Sequence, residues 1–199
     1  LTNTKMPGIL GRKIGMTRII QDDGRVIPLT IVECEPNEVV QVKTTEKDGY
    51  PAVVLGFSKL SRPTKNRKFY HLKEFRVAEE NAPKQGDVLN ISMFEENEGV
   101  KVTSTSKGKG TQGTIKRHNF SRGPMSHGSH HKREPGSVGT CAKPGRIHKG
   151  KKMAGRMGNE QVTVKNTQVV YINADKNIIG IKGPIPGAKN NLVIIRKLS

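Results

Sequence analysis

An all-β fold, barrel or sandwich, is what the sequence predicts, with one long basic excursion between its strands. Three observations carry that expectation. Short apolar or alternating runs recur toward both ends of the 199-residue chain, punctuated by Gly, Pro and Asp-Gly turn signals. Nothing in the first quarter has the 3.6-residue period of a long amphipathic helix. Between Thr103 and Asn159 the chain carries Lys or Arg at 13 positions against Glu134 alone, together with half of its 22 glycines. That window therefore supplies +12 of the net +18, and the remainder only +6. Hydrophobic residues are 33% of the chain but gather outside the window, so a core is available only there.

Taken in order, Met16 to Ile20 and Val26 to Val32 are apolar runs joined by Asp22-Asp23-Gly24. Asp-Gly supplies the positive φ of a tight turn between twisted strands, so a hairpin is expected. Pro28 lacks an N–H and predicts an edge position or a bulge. A strand follows at Val39 to Thr44, a turn at Asp48-Gly49 and a strand at Ala52 to Gly56. From Ser58 to Pro83 the pattern breaks. Phe69, Leu72 and Phe75 suit one short helix, or a loop followed by a strand at Glu74 to Val77. Strands at Val88 to Ile91 and Val100 to Thr103 then bracket a turn or a single helical turn. The basic window opens with a strand over Thr111 to Lys116 and shows no element after Phe120. Gln161 to Val164, Val169 to Ile172, Asn177 to Ile181 and Leu192 to Ile195 close the chain as strands, and the barrel holds the window's two ends.

The window is too poor in apolar residues to offset its ordering entropy by burial, so it should be mobile or extended until a polyanion neutralises it. A solvated face mixes both signs of charge, whereas a nearly acid-free stretch repels itself. A membrane-binding helix needs a row of large apolar residues opposite the lysines. The window has Phe120 as its one aromatic and is broken by Gly and Pro throughout, which favours folded RNA as the anion. No apolar run approaches the ~20 residues of a transmembrane helix and no signal-peptide core precedes the first strand, so a soluble intracellular protein is expected. Cys34 and Cys141 lie far apart in unlike surroundings, which fits a reduced compartment better than a disulfide.

Catalytic motifs are weak by comparison. Gly108-Lys109-Gly110-Thr111-Gln112-Gly113, with Glu134 beyond it, matches a dinucleotide-binding glycine pattern, but Arg122-Gly123-Pro124 leaves no room for the helix that pattern requires. Gly145 to Lys151 resembles a Walker loop that ends in Lys152, where Ser or Thr should hold magnesium. His118, His127, His130, His131 and His148 with Cys141 raise the question of a metal, yet a lone cysteine supplies no Cys-x-x-Cys pair. Histidines among arginines serve RNA sugar and base as hydrogen-bonding or stacking groups. No catalytic residue, metal or cofactor is expected.

Several stretches together resemble a known family: GRKIGMTRI from Gly11 to Ile19, DDGRVIPLTIVE, TSKGKGTQGTIKRHNF, HGSHHKREPGSVG and KGKKMAGRMGNEQVTV. They look like the bacterial-type third protein of the large ribosomal subunit, the universal L-three family, over nearly the whole chain. The resemblance implies a mainly β protein: a six-stranded translation-factor-like barrel with a small α+β insertion and a long irregular basic loop. In these terms residues 1–57, 87–117 and 159–199 supply barrel strands, 58–86 the insertion and 118–158 the RNA-binding loop. It also implies direct binding to large-subunit ribosomal RNA, a role in early subunit assembly and a loop running toward the peptidyl-transferase centre. Implied neighbours are the fourteenth and nineteenth large-subunit proteins, with neither a membrane nor a small-molecule substrate. The setting would be a bacterial cytoplasmic ribosome, with an organellar one left open.

RNA contacts are expected from Lys107, Lys109, Lys116, Arg117, His118, Arg122, His127, His130, His131, Lys132, Arg133, Lys143, Arg146, His148, Lys149, Lys151, Lys152 and Arg156. Carried onto this chain, the tip nearest the catalytic RNA is Gly136, Ser137, Gly139, Thr140, Cys141, Ala142, Lys143 and Pro144. Ala142 stands where some members carry a methylated glutamine, and His118 where tryptophan is common. Two rivals remain: a GTPase-like barrel, which predicts nucleotide binding, and a chromatin-type binder, which predicts equal affinity for duplex DNA but has no recognition helix here.

Overall fold

A computed structural model describes residues 8–65, 67–78 and 82–198. Residues 1–7 of the expected first barrel segment, and 66 and 79–81 of the expected insertion, lie outside that range. The chain is mainly β, as expected, and divides into two compact units: Leu1–Ser106 with Gln161–Ser199, and Lys107–Glu160.

The first unit begins with the hairpin of β1 (Ile9–Ile20) and β2 (Val26–Glu33). Its turn forms as Asp22-Asp23-Gly24 dictates: Gly24 takes φ +80°, the Gln21 N–H donates to Arg25 O at 2.9 Å, and the Asp23 carboxylate accepts the Arg25 N–H at 3.1 Å. Pro28 lies just past the last β2–β11 pair, where its carbonyl accepts the Gly183 N–H at 2.9 Å. The later strands β7 (Gly99–Thr105), β10 (Gln161–Asn173), β11 (Ile178–Lys182) and β12 (Leu192–Lys197) complete a sheet. Its order, β1-β12-β7-β10-β11-β2, closes on itself as a barrel with every neighbour antiparallel. Alternation places Val100 and Val102 from β7 and Val193 and Ile195 from β12 inside, where they pack with Ile9, Val32, Val169, Ile179 and Ile181. Each such side chain contributes about 1.5–3 kcal/mol on burial. Cys34 packs among them, and burial, followed by the neighbouring Glu33 charge, pushes its thiol far above the ordinary value. It is a packing group, not a reactive one.

A second sheet, ordered β5-β4-β3-β6, is built from β3 (Asn37–Lys43), β4 (Ala52–Lys59), β5 (Phe69–Arg76) and β6 (Val88–Leu89). This corrects the expectation that all strands of residues 1–57 feed the barrel, since β3 and β4 pair here instead. Asn37 supplies the physical reason. Its buried side chain accepts the Leu10 N–H and donates to the Leu10 and Glu35 carbonyls at 2.8–3.0 Å, occupying β1 as a strand partner would while the backbone turns away into the new sheet. Among the described residues of 58–86 the regular elements are the end of β4 and β5, and a one-turn helix α1 (Thr45–Asp48) lies between β3 and β4. Leu10, Val39, Val53, Leu55, Phe57, Phe75 and Val77 form this sheet's core. A 3-10 turn at Ile91–Met93 lies between β6 and β7, as the single-turn expectation had it. The two strands expected at Gln161 to Val164 and Val169 to Ile172 are one, β10, with its register shifted between Val164 and Thr167 where Asn166 takes φ +56°.

Candidate nucleic-acid interface

The second unit, Lys107–Glu160, begins and ends in a stem. The Lys109 N–H donates to Met157 O and the Met157 N–H to Gly110 O, both at 2.9 Å. Beyond them the two-residue strands β8 (Thr111–Gln112) and β9 (Gly155–Arg156) pair Thr111 with Arg156 and Gln112 with Gly155. Gly158 sits at φ +73°, and a Cβ there would lie 2.1 Å from the Lys107 carbonyl oxygen. Only glycine satisfies both the dihedral and the approach.

The strand expected over Thr111 to Lys116 stops after Gln112, and helix α2 (Thr114–His118) follows. Thr114 is buried and Asn119 ends the helix in the left-handed region at φ +59°. Lys116, Arg117 and His118 fall in its last turn, where cations complement the partial negative charge of the unpaired carbonyls. A helix does therefore follow the Gly108 to Gly113 pattern, but it has only five residues and the strands beside it are antiparallel. The βαβ setting of a pyrophosphate site is not there.

Arg117 and His118 turn toward the returning strand. Arg117 Nη1 and His118 Nε2 both bond the Met153 carbonyl, at 2.9 and 3.0 Å. Gly155 gives them room: a Cβ there would lie 2.5 Å from Arg117 Nη1. These two residues, expected as RNA contacts, are half-buried and join α2 to the far side of the stem. All sixteen other candidates are exposed: Lys107, Lys109, Lys116, Arg122, His127, His130, His131, Lys132, Arg133, Lys143, Arg146, His148, Lys149, Lys151, Lys152 and Arg156. His131 Nδ1 pairs with the Glu134 carboxylate, so the loop's acid is occupied within the loop.

From Ser121 to Ala154 the described backbone forms neither helix nor strand. The tip residues Gly136 to Cys141, with Gly145, Arg146 and Ile147, surround an open concavity of about 600 Å³. Ser137 donates to Gly139 O and Thr140 to Lys143 O, at 3.0 and 3.1 Å, which gives the tip local order without burial. Ala142, Lys143 and Pro144 are exposed beside it. Gly155, Gly158, Thr114 and the Met153 carbonyl organise the unit but were not singled out as site residues. The signal for the glycines was their recurrence at the window's closing end.

These features define a mainly β protein with a polycationic extension that has no hydrophobic core of its own. The profile of the family described as Ribosomal protein L3 matches residues 70–179. Three relatives carry the name large ribosomal subunit protein uL3. The one from Oceanobacillus iheyensis is 48% identical over 200 residues, covering 94% of this chain and 95% of its own. That of Trichlorobacter lovleyi is 47% identical over 201 residues, with 95% of both chains covered. That of Shouchella clausii is 46% identical over 199 residues, with 95% and 96% covered. The chain belongs to the ribosomal protein L3 family.

Proposed function

We propose that the chain is a structural constituent of the large ribosomal subunit, without catalytic chemistry of its own, that binds large-subunit ribosomal RNA through residues 118–158. One observation carries this reading. Of the 13 Lys and Arg side chains between Lys107 and Glu160, all but Arg117 are exposed, on a unit with no buried hydrophobic residue. Such a surface gains its free energy by releasing counterions from phosphates, and its irregular backbone follows grooves that a helix or sheet does not. The tip, Gly136 to Pro144, reaches toward the peptidyl-transferase centre, and the protein enters the subunit early in assembly beside the fourteenth and nineteenth large-subunit proteins. A bacterial cytoplasmic ribosome is the setting that fits its relatives.

Binding of the full chain to large-subunit ribosomal RNA fragments, measured across a salt series, tests the reading. With six to ten phosphates neutralised, affinity falls about 10³- to 10⁵-fold between 50 and 200 mM salt. A nearly salt-independent affinity, or equal affinity for duplex DNA, would overturn it.

A further inference from the structure

Outside the Thr103 to Asn159 window the excess of +6 is not spread over the chain. Residues 58–76 hold seven Lys and Arg against Glu74, and everything else balances at fifteen basic and fifteen acidic residues. Glu74 is itself bound to Lys43 Nζ at 2.6 Å, and of the seven cations Lys59 is paired with Glu38 at 2.8 Å. A second, local concentration of positive charge therefore sits on the folded first unit. The same segment supplies Ser58, Tyr70 and His71 to a cleft of about 380 Å³ completed by Arg12, Phe57, Asn190 and Leu192, a volume in the range of small-ligand sites.

The lining is unusual for a surface between two sheets. Phe57 is buried, and His71 stacks on it with centroids 6.3 Å apart and planes 24° from parallel. Tyr70 is 53% exposed, although its ring carries more apolar area than most surface side chains. Ser58 takes φ +58° within β4, between the pairs Phe57 with His71 and Lys59 with Phe69, and Asn190 takes φ +66°. Left-handed serine within a strand is strain of the kind that collects at ligand sites. Burial lowers the His71 pKa, as do Arg12, Lys73 and Arg67, so its ring is a neutral stacking group in a field of converging cations. Arg12 lies 3.5 Å from Glu35 through one guanidinium nitrogen, which leaves further donors for an anion.

We propose that this cleft holds one unpaired nucleotide of RNA, its base stacked against Tyr70 and His71 and its phosphate on Arg12 and Arg67. The inference rests on the RNA-binding reading above and adds a second contact, on the folded unit, of a different kind. The extended loop meets backbone phosphates, whereas the cleft takes an extruded base between aromatic faces.

Ultraviolet crosslinking of the full chain to large-subunit ribosomal RNA, followed by peptide mass spectrometry, tests it alongside two substitutions. The expected result is a nucleotide adduct on the Phe69 to Lys73 peptide. Tyr70→Ala should weaken binding about tenfold while Tyr70→Phe retains it. Arg67→Gln, at an exposed position, should lower the salt slope by about one phosphate without moving the melting temperature. Adducts confined to residues 107–160, with undiminished affinity in Tyr70→Ala and Arg67→Gln, would overturn the cleft and leave the RNA-binding reading standing. Failure of the unaltered chain to bind RNA would remove both.

Discussion

All 23 buried hydrophobic side chains among the described residues belong to the first unit, while the second buries only Thr114. The first unit is stabilised from within, by apolar burial and antiparallel pairing around a closed sheet. The second is ordered by a few backbone bonds at its stem and by side chains that reach carbonyls, as Arg117 and His118 reach Met153. Its lysines and arginines other than Arg117 are exposed and repel one another. Stability and the proposed RNA binding thus fall to different residues, and substitutions should affect one without the other.

The largest expected effect is on the barrel. Ile179→Ala, at a fully buried position, should cost about 2–5 kcal/mol in denaturant unfolding. Ile147→Ala in the loop, where the side chain is 47% exposed, should change the same measurement by no more than about 0.5 kcal/mol. A comparable loss from both would break the contrast. Replacing Lys149, Lys151 and Lys152 with Gln should do the reverse, lowering the slope of log affinity against log salt by about 3 in RNA-binding titrations while the unfolding midpoint stays put.

The smallest expected effect lies in the second sheet. The hydrogen bond from Lys43 holds the Glu74 carboxyl below its ordinary value, 4.5. A depressed carboxylate pKa stabilises the fold above the unfolded value and loses that contribution as pH falls through the folded one. Unfolding midpoints between pH 5 and pH 3 should therefore fall slightly more in the unaltered chain than in Glu74→Gln. Identical acid profiles would show that the pair is too solvated to matter.

What was legible in the sequence follows the same division. The β1–β2 hairpin was plain because Asp22-Asp23-Gly24 encodes its turn locally. The polycationic window was plain because charge sign needs no partner to be recognised. Sheet membership was not, since β3 and β4 alternate much as barrel strands do. Their destination depends on the amide of Asn37 meeting Leu10, 27 residues earlier. Strand β5 was obscured by Phe69, Leu72 and Phe75 at helix-like spacing. In the structure Phe69 and Phe75 are buried near the two ends of the strand while Tyr70 to Glu74 are exposed, so neither period shows in its burial. Within the loop, the exposed cations were identifiable by type, but the inward turn of Arg117 and His118 depends on a carbonyl some 35 residues away.

The pairing of Thr105 with Gln161 across β7 and β10 has a kinetic consequence. These neighbours form a hairpin whose connection is residues 106–160, where a tight turn would use about two to four. Closing so long a segment costs roughly 2 kcal/mol more chain entropy than closing a short turn, before any pair of the ladder forms. The pairs Glu33 with Ile178 and Ile9 with Ile195 join residues still further apart, so β7 and β10 should meet before β2 finds β11 and β1 finds β12, an order governed by sequence separation rather than by the strength of the core.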